Sequence, residues 1–137
     1  MKGTHRIIRK KVVITSIMIL IALTHFFTGS NYKGPYPEFV NGYLLDILVP
    51  FGFYFLLCLI KFSLLKSWIV RSILVFGVAS FTEMAQFFGV PIFGRTFDPV
   101  DFVMFGIGVV LAAIFDIIVF PQIFDFWTPK AKDSILK

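Results

Sequence analysis

The sequence predicts an all-α protein, a four-helix transmembrane bundle with both chain ends in the cytoplasm. Three observations support this fold class: 58% of the 137 residues are hydrophobic, only 15% are charged, and the mean hydropathy is +0.88. A soluble domain of this size cannot cover so much apolar surface with so few charges. The length allows one domain, residues 1–137, and continuous apolar runs favour helices over barrel strands.

Four apolar runs are long enough to cross a bilayer, at about 16 to 23 residues each. They cover roughly 12–27, 42–62, 68–90 and 99–120. No small-x-small cleavage site follows the first run, so we expect a retained span rather than a signal peptide.

Turn-forming and charged residues separate these spans. The first run ends at Thr28-Gly29-Ser30-Asn31, and the third and fourth are followed by Pro91 and Pro121. Residues 121–137 remain as a tail, whose aromatic side chains we expect to rest in the membrane interface. These are Phe124, Phe126 and Trp127.

The positions of the cations predict the orientation of the spans. Eleven of the thirteen Lys and Arg lie in the two tails or around the second-to-third connection, whereas Lys33 and Arg95 lie on the other side. The positive-inside rule therefore places both termini in the cytoplasm. The same distribution assigns the net charge of +5 to membrane orientation and lipid headgroups rather than to nucleic acid.

Polar residues gather toward the predicted outer ends of the spans. Glu83 lies roughly 22 Å from the inner end of the third span, at a depth where a carboxylate needs an interior partner. Ser80, Glu83 and Gln86 recur at intervals of three and so share one helix face. Arg95, in the following loop, is the natural countercharge.

The start of the fourth span adds two carboxylates. Asp98 fits the N-cap and Asp101 the first turn, so each either serves the helix end alone or joins the polar cluster. Asp101 aligns with Gly108 and Ala112, a small-residue pair that we expect to face the polar stripe of the third span. Possible extensions of the cluster are His25, Asp46 and Ser80.

The polar residues of the second half follow a recognisable pattern. It runs Glu83-x-x-Gln86, Gly94-Arg95-x-x-Asp98-x-x-Asp101, then Gly108. Over residues 77–113 this pattern resembles the VanZ-like family of small bacterial integral membrane proteins. Phe105 departs from it, because family members usually have Asn there, and this predicts a drier or altered pocket. The resemblance implies a protein of the bacterial inner (cytoplasmic) membrane.

Several kinds of chemistry have no counterpart in the sequence. It lacks metal-ligand spacing, a nucleophile elbow and a phosphate loop, so we expect no metal and no other cofactor. The leading interpretation is a non-enzymatic protein whose outer polar cluster binds the headgroup of a membrane lipid or cell-envelope precursor. One alternative is an accessory or scaffold subunit of a larger membrane complex. Another is a small lipid-modifying enzyme with Glu83 or Asp101 as general acid or base. The oligomeric state stays open.

Overall fold

The computed structural model describes residues 2–29, 31–92 and 96–128, which contain helices and no β-strand. In chain order the helices are α1 (Lys2–Thr28), α2 (Pro37–Gly42), α3 (Leu44–Leu57), α4 (Trp68–Phe87), α5 (Pro99–Ile114) and α6 (Phe120–Ile123). A 3₁₀ turn at Ser63–Lys66 precedes α4, and a π-helical turn at Phe115–Val119 joins α5 to α6. The prediction of an all-helical protein is confirmed.

Three helical stretches are long and apolar enough to cross a membrane. They are Gly3–Thr28, Trp68–Phe87 and Pro99–Ile123. A fourth apolar helix, α3, has only 14 residues. Because large hydrophobic side chains remain exposed along all three long stretches, this surface needs an apolar solvent. The chain is therefore a multi-pass membrane protein.

Hydropathy alone does not predict where the helices start and end. α1 begins at Lys2, ten residues before the first apolar run, since Lys and Arg are good helix formers outside the hydrocarbon. Pro121 does not end the fourth span, which continues to Ile123. The π-helical turn just before Pro121 accommodates a residue that has no N–H and crowds the preceding turn.

α3 occupies the centre of the molecule and packs against α1, α4 and, most extensively, α5. Its Tyr54 and Phe55 are fully buried. The Phe55 ring lies 5.3 Å from that of Phe120 and 6.0 Å from that of Trp127. By contrast, Ile14 is the single buried residue of α1 among those whose side chains the structure describes. The first helix is therefore the least enclosed of the three long apolar stretches.

The closest helix–helix approach joins α3 to α5. A Cβ placed on Gly108 would lie 2.2 Å from the Ile47 carbonyl oxygen, so only glycine fits. Ala112, one turn further along α5, is fully buried. We expected this small-residue stripe to face the third span, but Gly108 faces α3, and it is Gly106 that points toward Phe76 of α4.

Candidate functional site

Four carboxyl groups from α3, α4 and the start of α5 meet at one end of the bundle. We call them the carboxyl cluster, consisting of Asp46, Glu83, Asp98 and Asp101. Glu83 is the most enclosed, with 2% of its surface exposed, and its Oε1 accepts a hydrogen bond from the Asp98 backbone N–H at 2.6 Å. This contact ties the C-terminal half of α4 to Asp98, the N-cap residue of α5.

Asp98 caps α5 and also belongs to the carboxyl cluster, the two roles between which the sequence did not decide. Its Oδ1 accepts a hydrogen bond from the Val100 N–H at 2.9 Å and so caps α5. Its Oδ2 accepts from the Tyr43 hydroxyl at 3.0 Å. The cap residue is therefore also the link between Glu83 of α4 and the residue that precedes α3.

Asp46 and Asp101 complete the cluster from facing helices. Their carboxyl groups lie near each other, and both are within electrostatic range of Glu83. The close α3–α5 approach at Gly108 brings them together. Pro50, four residues after Asp46, has no N–H to give the Asp46 carbonyl its helical hydrogen bond. Among the described residues, acceptor oxygens thus outnumber donors at this end.

Other residues that the sequence singled out lie around or away from the cluster. Gln86 donates from Nε2 to the Ile92 carbonyl at 2.9 Å and holds the loop that follows α4. The Ser80 Oγ is buried and has no hydrogen-bond partner among the described residues. His25 is exposed on α1. Arg95 lies outside the described residues, so its expected role as countercharge stays a prediction.

A second polar group, which sequence reasoning missed, lies at the opposite end of the bundle. We call it the Arg71 network, consisting of Tyr54, Arg71, Asp116 and Trp127. Arg71, 7% exposed, forms an ion pair with Asp116 and donates to the Tyr54 hydroxyl at 3.2 Å. It also donates to the carbonyls of the turn before α4, at 2.6 and 3.1 Å. From the sequence, Arg71 is only one of the eleven cations that predict the orientation of the spans.

Asp116 is the centre of the Arg71 network. Besides the ion pair, it accepts from the Tyr54 hydroxyl and from the Trp127 Nε1–H, both at 2.9 Å. Asp116 and Arg71 thus form a buried ion pair between two helical stretches. The available signal was an arginine and an aspartate at matching depths of two spans, a combination that normally means pairing.

Trp127 also differs from expectation. The sequence placed it with Phe124 and Phe126 in the membrane interface, but it is 1% exposed and its ring packs 4.6 Å from that of Phe120. The chain turns back after α6 and inserts the indole into the core, because Asp116 gives its N–H a buried acceptor. Phe124 and Phe126 are partly buried beside it.

The carboxyl cluster is suited to accepting hydrogen bonds and positive charge. Among the described residues, the Arg71–Asp116 pair is the sole salt bridge, and no group of three or more His, Cys, Asp or Glu side chains is arranged to hold a metal ion. Comparisons of the chain with protein-family models, with curated proteins and with solved structures find no match.

Proposed function

We propose that the chain crosses the bacterial inner membrane four times, with both termini in the cytoplasm. α3 supplies the additional span. Its 14 residues are short for a bilayer crossing, but protein surrounds the helix at Tyr54 and Phe55, and a local thinning or the adjoining residues can make up the difference. The excess of Lys and Arg on one side of the four spans supports this orientation.

Cysteine labelling in intact cells tests the orientation. In a Cys58→Ser background, a membrane-impermeant maleimide should label Lys33→Cys and leave Lys61→Cys unlabelled until the cells are opened. Both positions are exposed on the protein surface, so the membrane is the barrier that distinguishes them. The reverse labelling pattern would contradict the proposed topology.

We further propose that the protein is VanZ-like and non-enzymatic, and that the carboxyl cluster binds the headgroup of a membrane lipid or of a cell-envelope precursor. The observation that carries this proposal is the convergence of four carboxyl groups from three helices, with Glu83 2% exposed. Charges at this depth are costly unless they are partnered. An ammonium group is the complementary headgroup chemistry, and Arg95, three residues before Asp98, can contact a neighbouring phosphate.

Ligand-dependent thermal stability tests the binding proposal. In detergent, phosphatidylethanolamine carries both an ammonium and a phosphate group, and we expect it to raise the melting temperature of the wild type. Phosphatidylglycerol, which lacks the ammonium, should raise it less. Glu83→Gln and Arg95→Ala should abolish the difference. Glu38→Gln, an exposed carboxylate in α2, is the matched control and should keep it.

Two outcomes would contradict the binding proposal. If both Glu83→Gln and Arg95→Ala retain the wild-type response, the cluster is not the site. If turnover of a lipid is detected, with a pH profile that disappears in Glu83→Gln while the fold survives, the protein is an enzyme instead.

A groove on α4 favours a second candidate, an accessory subunit of a larger membrane complex. The groove has a volume of about 310 Å³ and an apolar lining formed by Ile73, Leu74, Gly77, Val78 and Phe81. Gly77 leaves its floor open, which allows a neighbouring helix to approach closely. Gentle purification should then recover a stoichiometric partner that Gly77→Leu displaces, whereas recovery of bulk lipid alone argues against this role.

A further inference from the structure

The first helix has few contacts that hold it to the bundle. Ile14 is its single buried side chain among those described, and further along Met18 and Ile21 lie over Gly52 of α3. In a bilayer, lipid tails are as apolar as the helix surface, so burial of apolar area gives α1 little reason to stay docked. Packing and polar contacts must do this instead.

Polar contacts to α1 come from the end of the described chain. The Arg6 Nε donates to the Phe126 carbonyl at 2.8 Å, and its Nη2 donates to the Trp127 carbonyl at 3.3 Å. One turn later, the Lys10 ammonium lies 4.7 Å from the centre of the Trp127 ring, within the range of a cation–π contact. The Arg9 guanidinium lies 5.9 Å from the centre of the Phe126 ring. Three cations of α1 therefore contact Phe126, Trp127 or both.

The other side of those tail residues is fixed to the bundle core. The Trp127 indole donates to Asp116, which is itself paired with Arg71 of α4. Its ring contacts Phe120 and, across the bundle, Phe55 of α3. Trp127 therefore connects α1 to α3, α4 and the end of the fourth span through one side chain.

We propose that residues 124–127 form a clasp that holds the N-terminal part of α1 against the bundle, and that opening of this clasp releases α1 from α3. The tail, rather than helix–helix packing, then determines the position of the first span. Its contacts are two hydrogen bonds from Arg6, two cation–π contacts and one hydrogen bond from an indole, all of which exchange more readily than a packed helix interface. The inference is independent of what the carboxyl cluster binds.

Cys58 is a suitable reporter of clasp opening, since it is the one cysteine of the chain. It is partly buried against the core group that contains Trp127. The experiment measures the rate at which N-ethylmaleimide alkylates Cys58 in the full chain, reconstituted in vesicles.

Arg6→Gln removes both hydrogen bonds from α1 to the clasp without touching the core, and Trp127→Ala removes the indole that joins the clasp to the core. Each should accelerate alkylation by about tenfold, the population shift expected for loss of one such polar contact. The matched controls are Lys11→Gln, an exposed cation on the same helix, and Trp68→Ala, the second tryptophan, which is 46% exposed. Both should alkylate at the wild-type rate.

Trp127 fluorescence separates clasp opening from general unfolding. In a Trp68→Phe background Trp127 is the single tryptophan. Arg6→Gln should shift its emission to longer wavelength and increase quenching by acrylamide, while thermal unfolding remains cooperative. If Arg6→Gln leaves both alkylation and fluorescence at wild-type values, the clasp proposal is wrong, even if Trp127→Ala exposes Cys58, because the latter result alone shows only a damaged core.

Discussion

The Arg71 network and the carboxyl cluster, at opposite ends of the bundle, partner their buried carboxyl groups in different ways. In the Arg71 network, one carboxylate meets a guanidinium, a phenol and an indole, so its charge and its lone pairs are matched within the protein. In the carboxyl cluster, four carboxyl groups share a backbone N–H from Asp98, another from Val100 and the Tyr43 hydroxyl. The Asp116 carboxylate is thus fully partnered, although the Arg71 Nε is buried without a hydrogen-bond partner among the described residues. At the other end, counted over the described residues, the carboxyl cluster keeps acceptors for a ligand or for Arg95.

The two groups differ in how their charges are matched and not in how deeply they are buried. Arg71 and Glu83 are both almost fully buried, yet Arg71 has its countercharge in contact and Glu83 has a neutral donor. A buried pair that satisfies itself is expected to matter for folding. A buried carboxylate beside three others is expected to matter for binding, which substitutions can test.

The largest effect is expected at the Arg71 network. Arg71→Met leaves Asp116 buried without its countercharge and should lower the free energy of unfolding by about 3–5 kcal/mol. Unfolding in mixed micelles, titrated with dodecyl sulfate, measures this. Lys66→Met removes an exposed cation nearby and should change little. Equal stability of the two variants would show that the ion pair is not structural.

The next largest effect is expected where α3 meets α5. Gly108→Ala places a methyl group against the Ile47 carbonyl and should cost about 1–3 kcal/mol, the usual range for overpacking. It should also separate Asp46 from Asp101 and so weaken ligand-dependent stabilisation. Gly77→Ala, where the added methyl meets nothing within 4 Å, is the control and should be neutral or slightly stabilising.

A smaller effect is expected at the cap of α5. Asp98→Ala removes the acceptor for the Val100 N–H and for the Tyr43 hydroxyl and should cost about 1 kcal/mol. Asp98→Asn keeps an amide oxygen at the same position and should recover most of this loss. If Asn is no better than Ala in the same unfolding titration, the cap hydrogen bond does not contribute.

The smallest effect on stability is expected at Glu83, although its effect on binding should be the strongest. In Glu83→Gln the side-chain oxygen still accepts from the Asp98 N–H, so the free energy of unfolding should change by less than about 1 kcal/mol. Glu83→Leu leaves that N–H unpaired and should cost about 1–3 kcal/mol. A Gln variant as unstable as the Leu variant would make Glu83 a structural residue.

Hydropathy and charge were sufficient to predict the helical class and the apolar stretches, because a bilayer restricts a chain so strongly. The carboxyl groups at the ends of the spans were also visible, since each is unusual at its depth. The face that each helix turns to its neighbour could not be predicted from the sequence. Gly108 reads equally well as a contact with α3 or with α4, and only the three-dimensional packing decides between them.

The long-range partners of single side chains were also difficult to predict. Arg71 near the start of an apolar run looks like any juxtamembrane cation, and nothing local indicates that it turns inward to Asp116, 45 residues away. Trp127 in an aromatic tail looks like an interface anchor. Its burial depends on Asp116, an acceptor that another segment supplies. Composition and spacing do not predict this contact.

The π-helical turn at Phe115–Val119 has a consequence for the register of everything that follows it. Such a turn contains one residue more than the α-helical path, and each residue rotates a helix by about 100°. Removing one residue from this turn would restore a regular helix and carry Pro121 through Trp127 round to a different face. The extra residue in the turn thus sets the angular phase that allows the indole of Trp127 and the carboxylate of Asp116 to meet.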